Sequence, residues 1–186
     1  MTDERNGPDY DIDFRERPEE YEIGRGEQGV FKVQPYKSEL LALWSIKTLE
    51  SAKTAAAAIF ERFEAYREAN DFVGMDMARK YLQMGWTRSL RYAKYPGGTK
   101  YDDGTEREPQ QWYDEEKYEI SRVYRTSLER VNHDETYRDR KAEWQTKWVD
   151  GSRRARRSRS RSSENQWANS DLNREPPPYQ SGAQPD

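Results

Sequence analysis

Three glycines in the stretch YEIGRGEQGVFKVQPY (Tyr21–Tyr36) spell G-x-G-x-x-G at Gly24, Gly26 and Gly29. In dinucleotide sites that spacing turns the chain tightly and lets the backbone approach phosphates. Arg25, Glu27 and Gln28 stand between the glycines, so a guanidinium, a carboxylate and an amide share one short loop. With Lys37, Asp76 and Arg79 they form a candidate ligand set. Arg25, Lys37 and Arg79 would bind a phosphate or carboxylate, and Glu27, Glu39 or Asp76 would serve as general base if the site were a small enzyme. The same charges also read as buried Arg–Glu and Lys–Asp pairs that lock a small domain, and without a His, Cys or metal constellation beside them structural pairing is the preferred reading. A second set is cationic. Lys80, Arg88, Arg91 and Lys94 fall on one side of a helical projection of Asp71–Tyr95, with Arg79 and Lys100 available to extend it and Tyr92, Tyr95 or Tyr101 to stack, a pattern suited to nucleic acid or another polyanion.

Composition removes several chemistries. The chain of 186 residues has no cysteine, which excludes disulfides, thiolate catalysis and cysteine-ligated metals, and its single histidine, His133, cannot complete a common zinc or proton-relay site. No cofactor and no metal site is expected. Asp9, Asp11 and Asp13 lack the glycine and distal glutamate of a calcium loop. There is no apolar run near ~18 residues and no charged-then-apolar leader, so neither a membrane span nor a secretory signal is expected and the protein reads as cytoplasmic or nuclear. The net charge of −3 hides an acidic N-terminal stretch and an arginine-rich patch after Gly151.

The elements that must position these residues are mostly helical. The glycine loop does not open a helix as a dinucleotide loop does; Val30–Val33 reads as a strand closed by Pro35, which predicts a small N-terminal β-hairpin with Arg25, Glu27 and Gln28 at its tip. Tyr10, Ile12 and Phe14 alternate as in a short strand or strap. Leu40–Ile46 is an apolar run compatible with a turn of helix or a strand. Thr48 caps a helix ending near Asn70, with a stripe of Ala52, Ala55, Ala56, Ile59, Phe63 and Tyr66. Asp71 caps the central helix, whose Met75, Ala78, Leu82, Trp86 and Ala93 would face the core. Gly74 and Gly85 mark a close approach or a break, and a continuous or kinked helix is favoured over a helix-turn-helix. Residues 95–111 read as loop. A helix from Trp112 to Val131 follows, then a second to about Val149, capped by Asn132 with Glu135.

The predicted architecture is thus mainly α: a single helical domain over 11–150 with a small N-terminal β-hairpin (α+β), between a disordered acidic segment (1–10) and a disordered tail (151–186). The tail holds RRARRSRSRSS, an Arg/Ser-rich tract suited to nuclear localisation or nonspecific phosphate contact, and PPPY, in which Pro176, Pro177 and Tyr179 match the P-P-x-Y ligand pattern of WW domains.

The stretches IGRGEQG (Ile23–Gly29), PYKSE (Pro35–Glu39) and DFVGMDMARK (Asp71–Lys80), in that order, resemble the domain-of-unknown-function family number 4385 over roughly Asp11 to Val149. Ser45 and Ile46 follow Trp44 where the family pattern has an arginine–phenylalanine pair. The resemblance implies no activity. The residues alone therefore point to an intracellular binding protein, with polyanion binding through the basic helix face first. A phosphate or carboxylate pocket or small enzyme at the glycine loop, and an adaptor recruiting a WW-domain protein through the tail, are the alternatives.

Overall fold

The computed structural model describes residues 12–111, 113–147 and 150–151. The chain divides into two units, Met1–Trp144 and Gln145–Asp186, and all elements that bear on function belong to the first. They are α1 (Tyr36–Leu41), α2 (Leu49–Glu68), α3 (Phe72–Lys94), a two-residue β1 (Tyr101–Asp102) and β2 (Thr105–Glu106), and α4 (Glu115–His133). A further helix, α5, runs over 135–147. The Arg/Ser tract and the PPPY motif lie outside the described residues.

The long helices begin where short polar side chains take up free amides. Thr48 accepts from the Ser51 amide at 3.1 Å while the Ser51 hydroxyl accepts from the Thr48 amide at 3.1 Å, a reciprocal cap for α2. Asp71 accepts from the Gly74 amide at 2.9 Å and starts α3. Between the two helices the chain turns at Asn70, whose φ is +55°, so α2 and α3 form a tight hairpin. Asp114 caps α4 through the Lys117 amide at 2.9 Å. At its other end α4 runs on to His133. The next cap is Asp134, which accepts from the Tyr137 amide at 2.9 Å, so the Asn132–Glu135 cap read from sequence is displaced by two residues.

Helix α3 is the centre: α1, α2 and α4 all pack against it, and α2 also meets α4. Its residues are buried without interruption from Phe72 to Leu82. The expected division into one apolar and one basic face therefore fails in this half, because α2, α4, Tyr137 of α5 and the N-terminal residues Phe14, Tyr21, Val30 and Val33 enclose it on all sides. Gly74 and Gly85 are places of close approach within one continuous helix. A Cβ on Gly74 would lie 2.5 Å from the Tyr66 ring, and one on Gly85 would lie 2.3 Å from the Tyr124 ring. The Tyr124 hydroxyl continues past Gly85 to donate to the Ser45 carbonyl at 2.7 Å. Each ring so buried contributes on the order of 1.5–3 kcal/mol of transfer free energy.

The antiparallel pair is not where the sequence puts it. Tyr101 pairs with Glu106 and Asp102 with Thr105, across a turn at Asp103 and Gly104 with φ of +46° and +81°, inside the stretch read as loop. The predicted N-terminal hairpin is absent: among the described residues, Tyr21–Val33 forms turns, with Gly26 and Gly29 at φ of +57° and +83°. The physical reason lies in α3. Arg79 donates to the Gly26 carbonyl at 3.4 Å, Lys80 to the Gln28 carbonyl at 2.7 Å and Tyr81 to the Val30 carbonyl at 3.0 Å. Acceptors that a partner strand would have engaged are taken by helix side chains instead.

Candidate functional site

Asp76 lies at the root of the loop. It is fully buried and accepts hydrogen bonds from the Tyr21 hydroxyl, from Arg79 Nε at 2.8 Å and from the Tyr137 hydroxyl at 2.7 Å, with Lys80 Nζ 3.9 Å away. Burial works to raise its carboxyl, yet the charges of Arg79 and Lys80 and the bonds from Arg79 and Tyr137 hold it below its ordinary range. Burial pushes Lys80 down to about 8 against the opposing pull of Asp76. Tyr21 and Tyr137 are raised, first by burial and then by the Asp76 charge. The set is closed. With its oxygens engaged and no solvent contact, Asp76 has no path to a substrate proton. Its chemistry is to hold Arg79 and Lys80 in place, and these in turn hold the glycine loop.

A second network ties the N-terminal segment and α1 to α2 and the start of α3. Arg15 grips Glu39 with two bonds of 3.0 and 3.1 Å, Tyr66 donates to Glu39 at 2.5 Å, and Tyr36 donates to Asp71 at 2.7 Å. Glu39 is held below its ordinary range: burial opposes, but the bonds from Arg15 and Tyr66 outweigh it.

Above the closed set, the loop and the C-terminal half of α3 enclose an open cleft of about 730 Å³. The loop contributes Gly26–Lys32 and the helix contributes Gln83, Arg88 and Arg91. The Arg88 guanidinium lies 5.5 Å from the Phe31 ring centre and 5.7 Å from that of Trp44, which fixes the cation without neutralising it. Among the described residues neither Lys32, Arg88 nor Arg91 has an ion pair. Phe31 is 39% exposed. The Glu27 carboxylate accepts from the Thr87 hydroxyl.

A family model described as Domain of unknown function (DUF4385) matches residues 4–147. The chain belongs to this family. No curated protein and no solved structure gives a significant match.

In this DUF4385 domain the sequence-derived ligand set divides. Glu27 and Gln28 line the cleft. Asp76 and Arg79 sit beneath it in the buried set. Arg25 is exposed at the loop's first turn, where its carbonyl accepts from the Gln28 amide, and it does not line the cleft; nor does Lys37, half-buried in α1. Of the predicted basic face, Arg88 and Arg91 meet in the cleft, whereas Lys94 is half-buried away from it. Lys80 corrects the expectation most sharply: at 1% exposure, its ammonium serves the Gln28 carbonyl and Asp76 and cannot meet a nucleic acid. Lys100 pairs with Glu106 at 3.0 Å. Sequence reasoning missed Lys32, Phe31 and Gln83. Buried Val30 and Val33, three apart, signal a turn that throws Phe31 and Lys32 outward, where a strand would have alternated. Gln83, Thr87 and Arg91 recur every four residues along one row of α3, the row that faces the loop.

Among the described residues no cluster of His, Asp or Glu is placed to hold a metal ion, and no helix is long and apolar enough to cross a membrane.

Proposed function

We propose that this domain is an intracellular binding protein for an anionic, phosphate- or carboxylate-bearing ligand, held in the cleft between Gly26–Lys32 and the C-terminal half of α3. The observation that carries this reading is the convergence of Lys32, Arg88 and Arg91, none paired with a carboxylate among the described residues, on one cleft of about 730 Å³. That volume is in the range of about 300–1,000 Å³ usual for ligand sites. Cations left without a counter-charge favour an incoming anion. The loop adds donors: the amides of Gly26, Glu27, Gly29 and Phe31 have no acceptor among the described residues, and backbone amides in such turns bind anions. The anchoring of the loop by Arg79, Lys80 and Tyr81 supports affinity by removing the cost of ordering it on binding. The basic helix face and the glycine-loop pocket, two alternatives in the sequence, become one site in this reading.

The test is calorimetric titration of the full chain with tripolyphosphate at two salt concentrations. Affinity is expected to fall as salt rises, and Arg91→Glu, which reverses one cleft charge, should weaken binding by roughly tenfold or more. Arg25→Glu, outside the cleft, and Arg156→Glu, in the tail, report the background of nonspecific attraction. Equal affinity in wild type and Arg91→Glu would refute the proposal.

A further inference from the structure

Glu27 does not belong in a site built only for anions. It lines the same cleft as Lys32, Arg88 and Arg91, yet among the described residues it pairs with none of them. Its fixed partner is the Thr87 hydroxyl, while a carboxylate has roughly four acceptor positions. Most of its accepting capacity is therefore unused. A plain phosphate entering the cleft would be drawn by three cations and repelled by this carboxylate. A ligand that carries hydrogen-bond donors as well as negative charge would satisfy both.

The third component is apolar. Phe31 is 39% exposed on the cleft wall, with the Arg88 guanidinium 5.5 Å from its ring centre. An exposed phenylalanine beside a cation is a stacking surface for a flat ring. Gln83 supplies an amide that can both donate and accept, although Arg79 already donates to its oxygen at 2.6 Å, which leaves its NH₂ as the available group. A free aliphatic amino acid would meet the charges but offer Phe31 no ring and leave much of the volume unfilled. A polyamine would meet Glu27 and be repelled by the cations.

We infer that the cleft takes a nucleoside phosphate whose base carries an exocyclic amine: the phosphate on Arg88, Arg91 and Lys32, the ring against Phe31, and the amine donating to Glu27. This deepens the anion-binding reading and rests on it. Glu27 is then the specificity-determining residue, since a charged acceptor left without its donor costs more than a missing contact.

Two pairs of probes isolate the amine. Guanosine and inosine 5′-monophosphates differ by the amine alone, and cytidine and uridine 5′-monophosphates differ by an amine exchanged for a carbonyl with its accompanying ring proton. Titrated into the full-length wild type, the amine-bearing member of each pair should bind roughly tenfold more tightly. In Glu27→Gln the ratio should fall to within about twofold, with tripolyphosphate affinity kept or improved. Thr87→Val, which removes the hydroxyl that holds the Glu27 carboxylate in position, is a second variant that should narrow the ratio. Equal affinities within both pairs in the wild type, or an unchanged preference in Glu27→Gln, would overturn the inference. If equal affinities are all lost in Arg91→Glu, the anion site stands and base recognition falls. If neither the nucleotides nor tripolyphosphate bind, both readings fall together.

Discussion

Replacing Asp76 by Asn tests whether the charges under the loop are scaffold or site. The change keeps size and shape but removes the negative charge that faces a 9%-exposed Arg79 side chain at 2.8 Å and a 1%-exposed Lys80 side chain at 3.9 Å. It also gives the position two donors where Tyr21, Tyr137 and Arg79 all donate toward it. Breaking a buried ion pair from one side typically costs about 3–5 kcal/mol, because the surviving charge remains buried without compensation. Here two cations survive, so the upper part of that range applies, about 4–5 kcal/mol. For a unit of this size that lowers the melting temperature by roughly 10–15 °C. Urea unfolding of the full chain, followed by far-ultraviolet circular dichroism, measures it. The pH dependence has a defined sign. The folded pKa of Asp76 is below its ordinary value, so its contribution is fully present above the unfolded carboxyl pKa of about 3.9 and is lost as pH falls through the folded value. The stability difference between wild type and Asp76→Asn should therefore shrink below about pH 4 and hold steady above about pH 5 until Lys80, whose charge Asp76 supports, begins to titrate. A cost under about 1 kcal/mol at neutral pH would refute the reasoning. So would an unchanged melting temperature with tripolyphosphate binding lost, which would make Asp76 part of the site.

Two further substitutions probe the same architecture. Gly85→Ala would improve helix propensity by about 1 kcal/mol on an exposed face, but its Cβ would meet the Tyr124 ring at 2.3 Å. A net loss of about 2–4 kcal/mol in urea unfolding is expected, partly recovered in Gly85→Ala/Tyr124→Leu. Lys80→Met should be compared with wild type across alkaline pH. Burial pushes the Lys80 ammonium down to about 8 in the folded protein from its ordinary 10.5 in the unfolded chain, so between those values the unfolded chain holds more protons and wild type gains stability as pH rises, by up to roughly 3 kcal/mol. Lys80→Met should lack that rise, and the comparison ends near pH 10, where the raised tyrosines begin to oppose it.

The helices were legible because each is written in local signals: Thr48 and Asp71 as caps, alanines and long side chains between them, a stripe from Ala52 to Tyr66 that is buried as read. Gly74 and Gly85 announced close contact, though not that aromatic rings would fill it. The glycine loop was misread because its hydrogen bonds are not local. Its carbonyls find donors on Arg79, Lys80 and Tyr81, some fifty residues away in sequence, and a pattern that counts alternation within Val30–Val33 cannot register such partners. The same distance hid the division of charges. A helical projection places Lys80 beside Arg88 and Arg91, yet which cations face solvent depends on where Asp76, Tyr21 and Tyr137 meet.

The two layers of charge follow from one constraint. A loop with glycines at Gly26 and Gly29 loses more conformational freedom on folding than most, and it is held in one shape only because buried donors on α3 capture its carbonyls from beneath. Those donors are cations, and their burial requires Asp76, whose tyrosine partners come from Tyr21 before the loop and Tyr137 on α5. Roughly two to three turns farther along, α3 emerges from the core, and there Arg88 and Arg91 have no carboxylate to answer them among the described residues. Pairing in the lower layer gives the loop its form. In the proposed function, the unpaired cations of the upper layer give it something to bind. Substitutions below the loop should therefore change stability first and affinity only through it, whereas Arg88, Arg91 and Glu27 should change affinity at nearly constant stability, a separation that unfolding and titration on the same preparations measure directly.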